Sequence, residues 1–154
     1  MKKSMMIIMA LVVMGASAFA QNTLKVKFGQ HGNTFTMNME PNETAQKIVR
    51  DVGSQSWNLP IYDFDNYQGW EYFQYYDIAR RYTYKANPVQ VTKVKAGEVY
   101  YSHPNRIILF YHDATVNMQL TKIGQIEGTA EFSKAVEENP VLEYWGNKIV
   151  TISK

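Results

Sequence analysis

Residues 96–111, with the sequence AGEVYYSHPNRIILFY, decide the fold class of this chain. An Ala-Gly turn leads into the β-branched and aromatic run 98–102, a compact connection follows, and 107–111 is almost wholly apolar. Apolar residues at consecutive positions are typical of a strand that is buried on both faces. The stretch therefore predicts a β-hairpin whose second strand lies at the centre of a sheet or of a closed barrel.

The sequence on either side predicts further short strands. Apolar and polar residues alternate on both sides of the turn-rich loop 29–33, which indicates an opening hairpin. Gly146-Asn147 is a favoured two-residue turn and indicates a second hairpin near the C-terminus. The predicted strands outside residues 96–111 lie at 24–28, 34–39, 59–64, 89–94, 120–126, 142–145 and 148–152.

Two short amphipathic helices are also predicted. Asn42 is placed to cap a helix with Ala45, Ile48, Val49 and Val52 on one apolar stripe, and Thr129 is placed to cap a second helix. Roughly eight short strands with few long crossovers favour an antiparallel barrel whose ends are closed by the helices. The predicted fold class is mainly β with two short helices (α+β), as a closed or partly closed antiparallel β-barrel.

The N-terminal 20 residues have the pattern of a secretory signal peptide. Two lysines precede an uncharged apolar run over 5–16, and Ser17-Ala18-Phe19-Ala20 ends it with small residues at an A-x-A site. We expect cleavage after Ala20 and a single exported domain over 21–154, periplasmic or secreted. The alternative is an uncleaved anchor, but the run is shorter than the ~20 residues that a membrane span needs. We expect no transmembrane segment in the mature chain.

Charge and cysteine content exclude several classes of function. The chain has 16 Lys+Arg and 14 Asp+Glu, and loss of Lys2 and Lys3 with the leader leaves 14 against 14. A formal net charge of zero argues against a nucleic-acid partner. The absence of cysteine excludes disulfides, thiolate zinc sites and cysteine nucleophiles. No Gly-rich phosphate-binding loop is present, and we expect no cofactor.

The order of these motifs resembles a family of small prokaryotic cyclophilin-like proteins over about residues 24–128. The matching segments are Asn42–Ala45, Leu59-Pro60, Ala96–Tyr101, Ile107–Tyr111 and Ile123–Ile126. The resemblance implies a cyclophilin-like β-barrel. True cyclophilins are prolyl isomerases and carry a Phe-His-Arg strand followed by Phe-x-x-Gln-x-Gly-Asp, and neither string occurs here. The resemblance therefore implies the scaffold, and fold alone does not imply function.

Other residues that could take part in catalysis or metal binding are not spaced in a way that brings them together. His103 and His112 lie at opposite ends of the predicted hairpin, and His31 lies in a loop, whereas a metal site needs three or four converging ligands. Ser102 and His103 are adjacent on a strand and so point to opposite faces. Asp63, Asp65, Glu71 and Asp77 are spread through an aromatic segment, with nothing to set their separation. We predict no catalytic and no metal-binding residues.

The segment between Trp57 and Tyr84 is unusually rich in aromatic residues. Tyrosine combines an apolar ring with a polar tip, which suits peptides, glycans and protein partners, and arginine adds charge or cation–π contacts. The alternative is that these rings fill the barrel and shield its mouth. The predicted ligand-binding residues are Tyr67, Trp70, Tyr72, Tyr75, Tyr76, Arg80 and Arg81.

Three functions follow as hypotheses. The first is a non-catalytic, exported binding module with an aromatic-rich face, whose partner is a small ligand, a peptide or another envelope protein. The second is an enzyme, as a divergent peptidyl-prolyl cis-trans isomerase or a hydrolase. The third is an interaction module whose C-terminal hairpin, 142–152, pairs with a partner's strand.

Overall fold

The computed structural model describes residues 22–53, 55–63, 72–139 and 148–154. These residues form nine strands and two helices. The strands are β1 (Thr23–Phe28), β2 (Thr34–Met39), β3 (Trp57–Asp63), β4 (Phe73–Asp77), β5 (Val89–Val94), β6 (Glu98–Ser102), β7 (Arg106–Phe110), β8 (Ala114–Ile126) and β9 (Lys148–Ser153). The helices are α1 (Glu43–Asp51) and α2 (Ala130–Glu137).

Eight strands close into an antiparallel barrel, which confirms the predicted fold class. Neighbouring strands follow the order β2-β1-β9-β3-β4-β7-β6-β8, and pairing of β2 with β8 closes the ring. The closing register joins Met37 to Ile126 and Met39 to Gly124. The opening hairpin β1–β2 and the central hairpin β6–β7 lie where the sequence predicts them.

The barrel encloses an inner core to which both helices contribute. Ala45, Ile48 and Val49 of α1 and Phe132 and Val136 of α2 are buried there. Each helix begins as predicted, because the Asn42 side chain accepts a hydrogen bond from Ala45 N at 2.9 Å and that of Thr129 accepts one from Phe132 N at 3.1 Å. The side chains that fill the barrel are therefore covered by helix faces.

A second, outer core lies on the outside of the barrel wall. The first half of β8 leaves the barrel and pairs with β5, from Val89 opposite Leu120 to Val94 opposite Ala114. We call this two-stranded extension, β5 with residues 114–120, the arm. Its apolar side chains pack with the outward-facing side chains of β4, β6 and β7, among them Phe73, Tyr100, Ile108 and Phe110. Strand β7 is therefore buried on both faces, as its sequence predicts.

The C-terminal strand β9 is fully paired inside the barrel. It lies between β1, where Val26 faces Ile152, and β3, where Leu59 faces Val150. Because neither edge of β9 is free, the hypothesis that a C-terminal hairpin pairs with a partner is wrong for this strand. The other predicted strand of that hairpin, 142–145, and its turn lie outside the described residues, as does the predicted leader, 1–20.

No helix among the described residues is both long enough and apolar enough to cross a membrane.

Candidate functional site

The barrel wall opens at the junction of β3 and β4. In the described residues these two strands pair through two residue pairs, Tyr62 with Tyr75 and Asp63 with Gln74. On its other side β3 pairs with β9 through all five residues of 57–61. Beyond the end of β4, Ile78 N donates to the carbonyl of Asn105 at 2.9 Å, which continues the pairing with the β7 side. The two strands therefore separate over the first half of β3.

A groove of about 430 Å³ fills this separation. We call it the seam groove. Its walls are the start of β3, the segment after β4 and the end of α1, and its lining residues are Asp51, Gly53, Gln55, Ser56, Trp57, Asn58, Leu59, Ile78, Ala79, Arg81 and Tyr82. It thus combines aromatic, aliphatic and charged side chains in one opening, which is the usual make-up of a binding site.

An aromatic pair with an arginine forms one part of the groove. The rings of Trp57 and Tyr82 lie 5.2 Å apart between centroids and are inclined by 30°. The Arg81 guanidinium carbon lies 4.8 Å from the centre of the Tyr82 ring, and its Nη2 donates to the Tyr82 hydroxyl at 3.2 Å. The arginine is therefore held against the ring by a cation–π contact and a hydrogen bond.

A carboxylate provides the opposite charge. Asp51, at the C-terminal end of α1, accepts a hydrogen bond from the Tyr84 hydroxyl at 2.9 Å and pairs with Arg50 at 3.4 Å. Burial, together with this bond to Asp51, raises the pKa of Tyr84 above its usual value. The Tyr84 hydroxyl therefore keeps its proton, and with it the hydrogen bond to Asp51, to a higher pH than an exposed tyrosine does. Among the described residues that line the groove, Asp51 is acidic and Arg81 is basic.

The seam groove continues onto the outer face of the barrel. A second cavity of about 630 Å³ is lined by Lys27, Gln30, Ser56, Asn58, Pro60, Ile149 and Thr151. Ser56 and Asn58 line both openings. The Thr151 hydroxyl donates to Asn58 Oδ1 at 2.8 Å across the β3–β9 pair. The two openings therefore meet at the first residues of β3.

The structure separates the residues that the sequence predicts as a binding set. Arg81 lines the seam groove, and Arg80 beside it is exposed. Tyr72 and Tyr75 are half-buried and pack against the outer core. Tyr76 is 4% exposed in the inner core, so it belongs to the barrel filling and not to a contact surface. Tyr67 and Trp70 lie outside the described residues.

A second aromatic cluster lies on the outer wall. The rings of Tyr62 and Tyr75 are 5.4 Å apart, and the Arg106 guanidinium carbon lies 4.1 Å from the centre of the Tyr75 ring. Arg106 also makes two bonds to the carboxylate of Asp77, at 2.8 and 3.3 Å. Asp77, one of the four acids in the aromatic segment, is thus committed to an ion pair. Asp65 and Glu71 lie outside the described residues.

Sequence reasoning missed Trp57, Tyr82 and Asp51. Both rings lie within the aromatic segment, but nothing in their spacing shows that residues 25 positions apart stack on each other.

The three histidines do not converge on a site. His31 and His103 are exposed, and His112 contacts Glu137 of α2. In the described parts of the chain, no three histidine or acidic side chains are placed to hold a metal ion.

Comparisons with known proteins agree with this architecture. No curated protein matches the chain in sequence. The solved structure of McbB in complex with tryptophan superposes with a TM-score of 0.59 at 18% sequence identity, covering 85% of this chain. The chain spans 44% of the length of the McbB chain, and the likeness is one of fold. The sequence model of the cyclophilin-like family matches residues 28–153. This chain therefore belongs to the cyclophilin-like family.

Proposed function

We propose that the protein is a non-catalytic binding module that takes its ligand in the seam groove. The observation that carries the proposal is the aromatic pair Trp57–Tyr82 with Arg81 fixed against it. Stacked rings offer a flat apolar surface at little conformational cost, and a positioned guanidinium adds direction to a contact. The groove is open to solvent on a rigid barrel, so a ligand can enter without unfolding the wall.

The proposed ligand has an apolar or planar part and at least one polar end. The apolar part matches Trp57, Tyr82 and Leu59, and the polar end matches Arg81 or Asp51. Tryptophan, which McbB holds in its solved structure, has this composition and belongs in a first panel. Binding by this arrangement requires no proton transfer and no nucleophile.

We also propose that the binding module works outside the cytoplasm. The proposal rests on the apolar run and the A-x-A site of residues 1–20. The proposed partners are accordingly small molecules, peptides or proteins of the cell envelope.

A thermal-shift panel tests the binding proposal. The purified full chain is melted with tryptophan, Xaa-Pro peptides, oligosaccharides, flavins and divalent metals. A ligand at a hundred times its Kd adds ~2.7 kcal/mol to the unfolding free energy, which raises the Tm by several degrees in a domain of this size. We expect such a shift with at least one ligand that has an aromatic or apolar part.

Two matched variants locate the site. Tyr82→Ala removes one ring of the groove and should weaken the binding of that ligand roughly tenfold or more. Tyr62→Ala removes a ring of the outer cluster and should leave the affinity unchanged. Equal losses in both variants, or a flat panel, would contradict the proposal.

A divergent prolyl isomerase is the second candidate, and one observation favours it. Arg81 shares the groove with the apolar side chains of Leu59 and Ile78, and isomerisation needs a guanidinium beside an apolar pocket. An isomerase assay on a Xaa-Pro peptide separates the two functions. Turnover that disappears in Arg81→Lys would establish the enzyme, whereas binding without turnover would leave the module non-catalytic.

A further inference from the structure

The acidic side chain of the seam groove already has partners within the protein. The carboxylate of Asp51 accepts a hydrogen bond from the Tyr84 hydroxyl through Oδ2, at 2.9 Å. Its other oxygen, Oδ1, lies 3.4 Å from Nε of Arg50, the basic residue of the last turn of α1. The negative charge of Asp51 is therefore offset by a neighbouring guanidinium before any ligand arrives.

The basic side chain of the groove is in the opposite situation. Arg81 lies over the Tyr82 ring and donates to its hydroxyl through Nη2, and neither of these partners is a carboxylate. The ion pairs of the described chain all join other side chains, so no acid in that part of the protein offsets Arg81. A guanidinium has five N–H donors in a planar fork. Arg81 is exposed, so its remaining donors can be reached from solvent.

The second cavity adds to the positive charge of the groove. Among the described residues that line the two openings, Asp51 is the acid, whereas Arg81 and Lys27 are bases. The ammonium group of Lys27 donates to the carbonyl oxygen of Gln30 at 3.1 Å, so a neutral group is its partner there. Because Arg50 offsets Asp51, the charge that remains along the two openings is positive and attracts an anion.

We infer that the ligand of the seam groove is a small aromatic carboxylate, whose negative charge is bound by Arg81. The inference rests on the proposed function of the groove and names the class of its ligand. The rings of Trp57 and Tyr82 offer a surface for the aromatic part, and the planar guanidinium matches the two oxygens of a carboxylate.

Two further features define the charge and the orientation of this ligand. One guanidinium balances one negative charge, which favours a carboxylate over a phosphate ester that carries nearly two. The last carbonyls of α1 give the Asp51 end of the groove a partial negative charge, which repels an anion. The carboxylate therefore lies toward Arg81 and away from the end of α1.

Three ligands that share one indole ring test this inference on the full chain. Indole-3-propionate, indole-3-propionamide and tryptamine are negative, neutral and positive at neutral pH, and titration calorimetry gives the Kd of each. We expect the acid to bind about tenfold or more tightly than the amide, and tryptamine to bind most weakly. An amide that binds as tightly as the acid, or tryptamine as the tightest ligand, would overturn the inference.

Two matched arginine variants assign the preference to one side chain. Arg81→Gln keeps amide donors but removes the charge, so the acid and the amide should then bind about equally. Arg80→Gln removes the same charge from the neighbouring exposed position and should leave the preference for the acid unchanged. Equal loss of the preference in both variants would show that diffuse positive charge selects the acid, and this would also overturn the inference.

Tyr82→Ala separates this inference from the proposed function. If the three ligands bind equally and all of them weaken in Tyr82→Ala, the groove is the binding site and the preference for a carboxylate fails. If none of the three binds but another ligand of the thermal-shift panel does so through Tyr82, the proposed function again stands and the inference fails. If neither these ligands nor the panel bind, both fail.

Discussion

At the scale of single residues, the hydroxyl of Tyr84 ties the segment that follows β4 to the end of α1. It donates to Asp51, and the Tyr84 N–H donates to the Tyr101 hydroxyl at 3.2 Å. Removing the hydroxyl leaves a carboxylate without its main partner. We expect Tyr84→Phe to lower the free energy of unfolding by about 1–2 kcal/mol, measured by urea denaturation.

Tyr62→Phe is the matched control for this change. Its ring is 38% exposed on the outer wall, so its hydroxyl is already in reach of water. The expected change is within roughly 0.5 kcal/mol. Similar losses for Tyr62→Phe and Tyr84→Phe would show that the bond to Asp51 contributes nothing specific.

Three tyrosines make the stability sensitive to alkali. Burial raises the pKa values of Tyr76, Tyr84 and Tyr100, and hydrogen bonds to Asp51 and Glu98 add to the effect for the last two. The folded state then holds these protons more tightly than the unfolded state, so their contribution is complete below the unfolded pKa of about 10 and is lost as the pH rises above it.

We therefore expect the Tm to be level from pH 7 to about 9.5 and to fall above that, as calorimetry across this range would measure. Each such tyrosine can remove about 1.4 kcal/mol of unfolding free energy per pH unit. The Tm of the double variant Tyr76→Phe/Tyr100→Phe should fall less steeply with pH. A Tm that stays level to pH 11 would contradict the assignment.

At the scale of elements, the cap of α1 joins the helix to the barrel. Asn42 accepts from Ala45 N, and its Nδ2 donates to the carbonyl of Lys122 in β8 at 2.8 Å. We expect Asn42→Ala to cost about 1–2 kcal/mol in urea unfolding. Asn42→Asp keeps the capping acceptor and loses the donor to Lys122, so it should cost less. An equal cost would show that the cap itself contributes little.

Alanine substitutions along strand β7 should lower stability at consecutive positions, because both faces of the strand are buried. Ile107 faces the inner core and Ile108 faces the outer core, and both are buried. We expect Ile107→Ala and Ile108→Ala each to lower the free energy of unfolding by about 2–5 kcal/mol. In a strand with one solvent-exposed face, only every second substitution would have such an effect. A cost below about 1 kcal/mol for Ile108→Ala, measured by denaturant unfolding, would show that the arm packs loosely on the wall.

The elements were predictable where local signals agree with tertiary contacts. The alternation over 24–39, the Asn42 and Thr129 caps and the apolar run at 107–111 each predicted an element at its observed place. Strand β8 was predicted from 120, yet it begins at Ala114 because its first half pairs with β5 instead of with the barrel. Ala114, Val116, Met118 and Leu120 alternate with polar residues, so the period-two pattern of a strand is present in 114–120 and the sequence prediction overlooked it.

The candidate site was predictable only in composition. An aromatic-rich segment was identified, but a segment 28 residues long turns several times, and its side chains reach three environments. Tyr76 fills the barrel, Tyr75 lies on the outer wall, and Arg81 lines the groove. The separation of β3 from β4 is set by the path of the backbone after Asp77, which no residue type in the segment specifies.

At the scale of the whole molecule, the leader is a prediction that mass spectrometry can check directly. Expression in a bacterium with a secretion pathway should yield a mature chain that begins at Gln21, since Ala18 and Ala20 satisfy the A-x-A rule. Replacing Ala20 by a bulky residue such as Phe should leave the chain uncut. A cytoplasmic product that still begins at Met1 would contradict export.

The position of β9 has a consequence for when the barrel can close. Among the described strands β9 comes last in the sequence, yet it lies between β1 and β3, so the ring has a gap without residues 148–153. Contacts between such distant residues form late and slowly. A chain that lacks β9 therefore cannot close the barrel. A chain shortened to residue 147 should show no cooperative melting by circular dichroism.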